Sequence, residues 1–328
     1  MNKMNKKVIA VITAIMLLAT CLTGCGGGDD KAADPARISF ASGGTSGTYY
    51  PIAGAISTLW TDKVEGLTVD VQSTGASAEN LNLINKGEAE VALVQNDVMY
   101  YAYTATESFA GVDKNESFLT LGTVYPEVVQ LVVAGDAGIE TLADLKGKAV
   151  SIGDVGSGVE SNAKQILAAA GIGLDEITVR NLGFGESANG IKDKTLDAAF
   201  VTAGTPTTAV TELAATNDIK VLSLDQAVID QLCADYGYYT EFVIPADVYG
   251  TDADAKTVAV KATIVVKADL SERLVYNMTK ALFENLDVVA ESHAKGKELS
   301  LTGTIDGVSV PLHPGAAKYY AEQGLDVE

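Results

Sequence analysis

Two stretches of this chain, residues 38–95 and 149–202, run through the same order: strand, glycine-rich turn, helix, strand, helix, strand. Strands that alternate with helices need crossover connections, and crossovers lay the strands side by side and parallel. The β-rich runs fall at 38–41, 67–72, 91–95, 118–124, 128–134, 149–153, 177–181, 198–202, 220–224 and 261–266. Helices are predicted at 49–61, 77–85, 157–170, 186–192 and 205–216. The chain therefore reads as α/β, and a length of 328 residues suits two domains.

Function is expected at the turn after the first strand of each unit. One turn is Gly43-Gly44-Thr45-Ser46-Gly47-Thr48-Tyr49-Tyr50-Pro51, and its counterpart is Gly153-Asp154-Val155-Gly156-Ser157-Gly158-Val159. A strand-to-helix turn points backbone N–H groups and the positive end of a helix at whatever lies above it, which suits an anionic group. Ligands of open α/β sheets sit beyond the carboxyl ends of strands, so two such turns on facing units would share one crevice. Candidate ligand contacts are Gly44, Thr45, Ser46, Thr48, Tyr49 and Tyr50 from the first turn, with Gly156, Ser157, Gly158 and Val159 from the second. Ser73, Thr74, Gly75 and Ala76 follow the strand at 67–72, with Ser77 expected to cap the next helix and Gly87 to end it. Gln95 and Asn96 close the strand at 91–95, and Gly204 and Thr205 follow the one at 198–202. For each, the plain alternative is ordinary turn and cap chemistry.

Ser46 and Ser157 in glycine-rich turns raise the question of a serine hydrolase. Neither lies in Gly-x-Ser-x-Gly, and the histidines, His293 and His313, fall near the C-terminus without an acid motif. His313, between Leu312 and Pro314, reads as a surface loop residue. No turn has the Gly-x-x-x-x-Gly-Lys-Ser/Thr pattern, and no His/Cys cluster has metal-ligand spacing. No enzymatic activity, cofactor or metal is expected.

Residues 1–24 combine Lys3, Lys6 and Lys7 with an apolar run at 8–19, the pattern of a secretory signal too short to span a bilayer comfortably. Leu22-Thr23-Gly24-Cys25 resembles the lipobox of bacterial lipoproteins, which makes Cys25 the expected lipidation site and residues 25–35 a lipidated, flexible tether. The 3 cysteines are Cys21, Cys25 and Cys233, so the body has no partner for an internal disulfide and must rely on an apolar core; 47% hydrophobic residues permit one. With 23 basic against 43 acidic residues and a formal charge of −20, the chain is unsuited to nucleic acid or to an anionic membrane surface. Membrane association is expected only through the N-terminal lipid. An anionic ligand would have to be held by local donors.

Taken together, the first turn, Ser73-Thr74-Gly75-Ala76-Ser77, Glu90-Val91-Ala92-Leu93-Val94-Gln95-Asn96-Asp97, Tyr125-Pro126-Glu127, Leu142-Ala143-Asp144-Leu145-Lys146-Gly147-Lys148, Val155-Gly156-Ser157-Gly158-Val159-Glu160 and residues 270–285 resemble the TAXI family of extracytoplasmic solute receptors, which serve TRAP-type secondary transporters. The resemblance covers essentially the whole mature chain. It implies a two-lobe periplasmic-binding-protein fold of type II, each lobe a mixed, mostly parallel sheet flanked by helices. Lobe one would comprise 36–126 and 226–328 and lobe two 127–225, with crossings near 125–128 and 222–226. Tyr125, Pro126 and Glu127 would form the hinge, where Glu127 could latch the lobes or bind a ligand ammonium group.

The implied function is capture, by hinge closure, of a small and carboxylate-bearing solute such as glutamate, glutamine or 2-oxoglutarate. A monomeric, lipid-anchored, extracytoplasmic protein would then deliver it to TRAP permease subunits. The alternative is a substrate-binding lipoprotein of an ATP-driven (ABC) importer for another solute. The arginines are Arg37, Arg180 and Arg273, none in a motif assigned to the cleft. The bidentate arginine clamp of the sister family of TRAP dicarboxylate receptors is therefore not visible.

Overall fold

A computed structural model describes residues 37–327. The export signal, Cys25 and the whole tether lie outside the described residues. The strands are β1 (Arg37–Ala41), β2 (Thr68–Gln72), β3 (Val91–Gln95), β4 (Phe118–Ala134), β5 (Ala149–Ser151), β6 (Thr178–Arg180), β7 (Ala198–Ala203), β8 (Ile219–Leu222), β9 (Thr240–Ile244) and β10 (Ala255–Lys267). In the first unit β1 lies between β2 and β3, all parallel; in the second β5 lies between β6 and β7, again all parallel. The duplication in sequence is thus a duplication of topology. Two long strands join the halves: β10 is antiparallel to β3 and β4, and β4 is antiparallel to β7, giving the order β2-β1-β3-β10-β4-β7-β5-β6. β8 pairs with the later half of β4 and β9 with the earlier half of β10.

Each half has its own core. β3 is buried along its whole length, as a parallel strand covered by helices on both faces should be. Phe40, Ile52, Trp60, Leu93 and Met278 belong to the first core, Val150, Ile166, Phe200 and Val258 to the second. Trp60 stacks on Phe40 at 5.6 Å, and its Nε1 donates to Met278 O at 2.8 Å. Truncating such a buried indole costs about 3–5 kcal/mol.

The packing differs from the sequence reading in three places. First, 118–124 and 128–134 are one strand, not two. Pro126 cannot donate to a ladder, and the sheet absorbs it with a register shift against β10, where Lys261 faces Pro126 but Thr263 faces Thr123. Second, the helix Gln226–Asp235, which the resemblance assigns to lobe one, packs Val228, Ile229 and Leu232 into the second core with Tyr239 and Val258. Third, Asn96 and Asp97 begin a helix, Asn96–Thr104, instead of trailing a strand.

Candidate functional site

A cavity of about 280 Å³ lies where the two units meet, at the lower end of the range for small-ligand sites. From the first half, Gly44, Thr45, Ser46, Thr48, Tyr49, Ser73, Thr74, Gly75, Ala76 and Gln95 line it. Ser157, Gly158 and Val159 line it from the second, and Glu127 comes from β4, the strand common to both. The structure therefore brings together both glycine-rich turns and most of the residues the sequence singled out.

Five expected contacts lie elsewhere. Tyr50 follows Tyr49 by one residue, a rotation of about 100° on a helix, and is 37% exposed over a shallow groove with Gly54 and Thr58. Asn96 is structural: its Nδ2 donates to Gly307 O at 3.1 Å and its Oδ1 accepts from Lys261 N at 2.9 Å. Gly156 O accepts from Ala78 N at 3.2 Å, and Gly204 O accepts from Thr207 Oγ1 at 2.8 Å. Thr205 is buried but does not line the cavity. Ser77 is not a helix cap; its hydroxyl accepts from Gln95 N at 3.1 Å and so fixes the end of β3. Gly87 does end that helix, at φ +72°, donating to Leu83 and Ile84 carbonyls.

Sequence reasoning missed a whole wall. Gly183, Phe184, Gly185 and Glu186 line the cavity after β6, with Asp154, Thr202 and Ala203. This loop is the second unit's counterpart of 73–77, which follows β2, so the internal duplication carried the signal. The aromatic edge of Phe184 lies against Gly47, where a Cβ would meet its ring at 3.3 Å. Ala209 N also donates to Ser46 O at 3.3 Å, so the two halves touch across the rim.

The chain's own carboxylates hold the amides of three of these turns. Glu79 Oε2 accepts from Gly75 N at 2.6 Å, Glu160 Oε2 from Gly156 N at 2.7 Å, and Glu186 Oε2 from Gly183 N at 3.4 Å. Ser157 caps the helix Gly158–Ala169 by accepting from Glu160 N at 3.1 Å. The helix Tyr49–Lys63, by contrast, has no acidic residue in its first turn.

At the inner end, Glu127 is 2% exposed and accepts from the Tyr49 hydroxyl at 2.7 Å. Burial pushes its carboxyl well above the usual range; the Tyr49 bond works against that shift and Asp97 adds to it. Asp154 is raised by burial and by Glu186 and Glu79 nearby. Gln95 Oε1 and Thr202 Oγ1 are buried without a hydrogen-bond partner in the protein, an arrangement uncommon in folded proteins unless a ligand or water completes it. The described lining residues include no lysine, arginine or histidine. His313 is buried rather than at the surface: its Nδ1 accepts from Gly315 N at 3.2 Å at the start of the helix Pro314–Glu322.

A model of the NMT1-like family matches residues 40–324. The chain belongs to the NMT1-like family. Solved structures similar to this family member include PhnD1 from Prochlorococcus marinus in complex with methylphosphonate, with TM-score 0.56 and 10% identity over 81% of this chain and 92% of that one. A binding protein component of an ABC phosphonate transporter from Pseudomonas aeruginosa is similar at TM-score 0.52 and 13% identity over 82% and 80%. An ancestral arginine-binding protein bound to arginine is similar at TM-score 0.51 and 15% identity over 80% and 99%. At these identities the likeness is one of fold, and the fold of the NMT1-like chain is the two-lobe periplasmic-binding-protein fold.

Proposed function

We propose that this chain is an extracytoplasmic solute receptor that captures a small molecule between its lobes and passes it to a membrane importer. The observation that carries the reading is the cavity at the lobe junction, walled by loops of both halves, with buried acceptors on Gln95 and Thr202 that the protein leaves unpaired. Such groups are completed by a ligand that touches both walls, and a ligand bound only by the joined lobes holds them together. The bending region would lie at 125–128 of β4 and 260–262 of β10, where the ladder shifts register. No covalent step follows capture.

An ATP-driven importer is the favoured recipient, because a neighbour of the same fold is described as a component of an ABC transporter. The TRAP-type reading rests on the sequence motifs resembling TAXI receptors. Fold does not choose the solute, since similar structures hold methylphosphonate in one case and arginine in another. Residues 1–24 and Cys25 support export and lipid anchoring.

A screen of melting temperature against amino acids, 2-oxo acids, dicarboxylates and phosphonates tests capture, since a solute bound by the native state alone must raise the midpoint. Absence of any shift, together with turnover of an ester, would reject it. Uptake of the solute found, assayed in membrane vesicles with the receptor added, separates a requirement for ATP from one for an ion gradient. Cys25→Ser should release the protein from membranes.

A further inference from the structure

We propose, building on the receptor reading, that the solute carries a protonated amine seated on Glu127 and Gln95 and at most one acidic group, so that its net charge is zero or positive. Three observations converge. The inner end of the cavity is built of acceptors: Glu127 is buried against Tyr49, and Gln95 Oε1 is buried without a partner. An ammonium group brings three donors and the opposite charge, whereas a carboxylate or phosphonate there brings only further acceptors.

One amide in each of three cavity turns is already answered from within, at Gly75 by Glu79, at Gly156 by Glu160 and at Gly183 by Glu186. Of the helices that begin at the cavity wall, Tyr49–Lys63 alone among the described residues starts without an acid in its first turn. That leaves one place for one acidic group. Finally, no lysine or arginine stands among the described lining residues to neutralise a second anionic charge, while Asp154 and Glu186 add negative charge to the wall. Of the two glycine turns expected to grip an acid jointly, the second has its Gly156 amide occupied by Glu160, and the first stands open.

Calorimetry on the purified protein with pairs that differ only in the amine tests this directly. The probes are all twenty amino acids and norvaline, the amine-free partners glutaramate for glutamine and valerate for norvaline, and the doubly acidic glutarate and methylphosphonate. The amine member of at least one pair should bind 100-fold or more tighter than its partner. Glu127→Gln should reduce that preference to less than tenfold with little change in melting temperature, because it removes the ionisable carboxyl without changing shape. Gln95→Leu gives an independent reading and should weaken the amine probe about tenfold. Binding of glutarate, methylphosphonate or valerate in preference to every amine probe would overturn the assignment of charge and leave the receptor intact. Silence toward every probe would overturn the receptor reading itself, and an amine preference that survives Glu127→Gln would overturn the assigned seat.

Discussion

The two halves of the molecule meet along two seams, and both bury polar groups. In the seam behind the cavity the protein supplies most of the partners itself, although Asp97 Oδ1 and Asn162 Oδ1 are buried without one. Asn162 Nδ2 donates to Asp97 Oδ2 and to the Tyr239 hydroxyl, each at 2.8 Å; Gln165 Nε2 donates to the Tyr101 hydroxyl at 2.8 Å, and Tyr101 meets Tyr238. At the cavity, Glu127 has Tyr49, but Gln95 Oε1 and Thr202 Oγ1 have nothing. Buried polar groups stabilise a structure when paired and weaken it when not. The rear seam is the better paired of the two and acts as a clasp between helices Asn96–Thr104 and Gly158–Ala169, while the front seam keeps Gln95 and Thr202 unpaired at the cavity.

The largest test of this contrast is pH. Burial raises the Asp97 carboxyl from its ordinary 3.8 to about 7, partly offset by Asn162. The folded chain keeps this proton after the unfolded chain has lost it, so the stability it contributes is full below about pH 4 and is lost as pH rises through about 7. Relative to Asp97→Asn, the unmodified protein should lose on the order of 4 kcal/mol across that window, read from urea midpoints. Glu127 shifts in the same direction and is present in both proteins, so all but its coupling to Asp97 cancels. A flat difference would mean that Asp97 does not bury its proton in the clasp.

Next in size, Gly158→Val should lower solute affinity about 100-fold, near 2.7 kcal/mol, with less effect on the clasp. A Cβ at Gly158 would stand 2.0 Å from Gln95 Oε1 and displace the amide from its place in the cavity lining. Equal losses of affinity and of melting temperature would show the two seams to be one. Tyr101→Phe removes an acceptor from the rear seam alone and should cost about 1 kcal/mol while enlarging the unliganded protein in small-angle scattering. The smallest expected effect is none: Trp60 is sealed in the first core, so its emission should stay put at saturating solute, and a shift would mean that closure disturbs that core.

What the sequence disclosed was local periodicity and what it concealed was partnership. Strand and helix alternation placed β1 to β3 and β5 to β7, and glycine punctuation found both turns, because backbone conformation at those positions depends on nearby residues. Pro126 looked like a break because its missing donor is visible in sequence, whereas the β-bulge that accommodates it depends on β10, more than a hundred residues away. The helix Gln226–Asp235 has an apolar side that either lobe could cover, and only packing decided between them. Tyr49 and Tyr50 were equal candidates until the helix phase separated them. The same holds for the acids: Glu79, Glu160 and Glu186 stand within four residues of the amides they fill, a spacing present in the sequence but readable equally as solvated charge.

Glu127 sits on β4 beside the register shift, on the strand that belongs to neither lobe alone. A group mounted on the axle of a jaw hardly travels when the jaw swings. The first grip on an arriving molecule would then be made by a stationary post, and the loops at 43–48 and 183–186 would come to it afterwards. Changes to the post should alter which molecules are admitted, and changes to the loops how long each one stays.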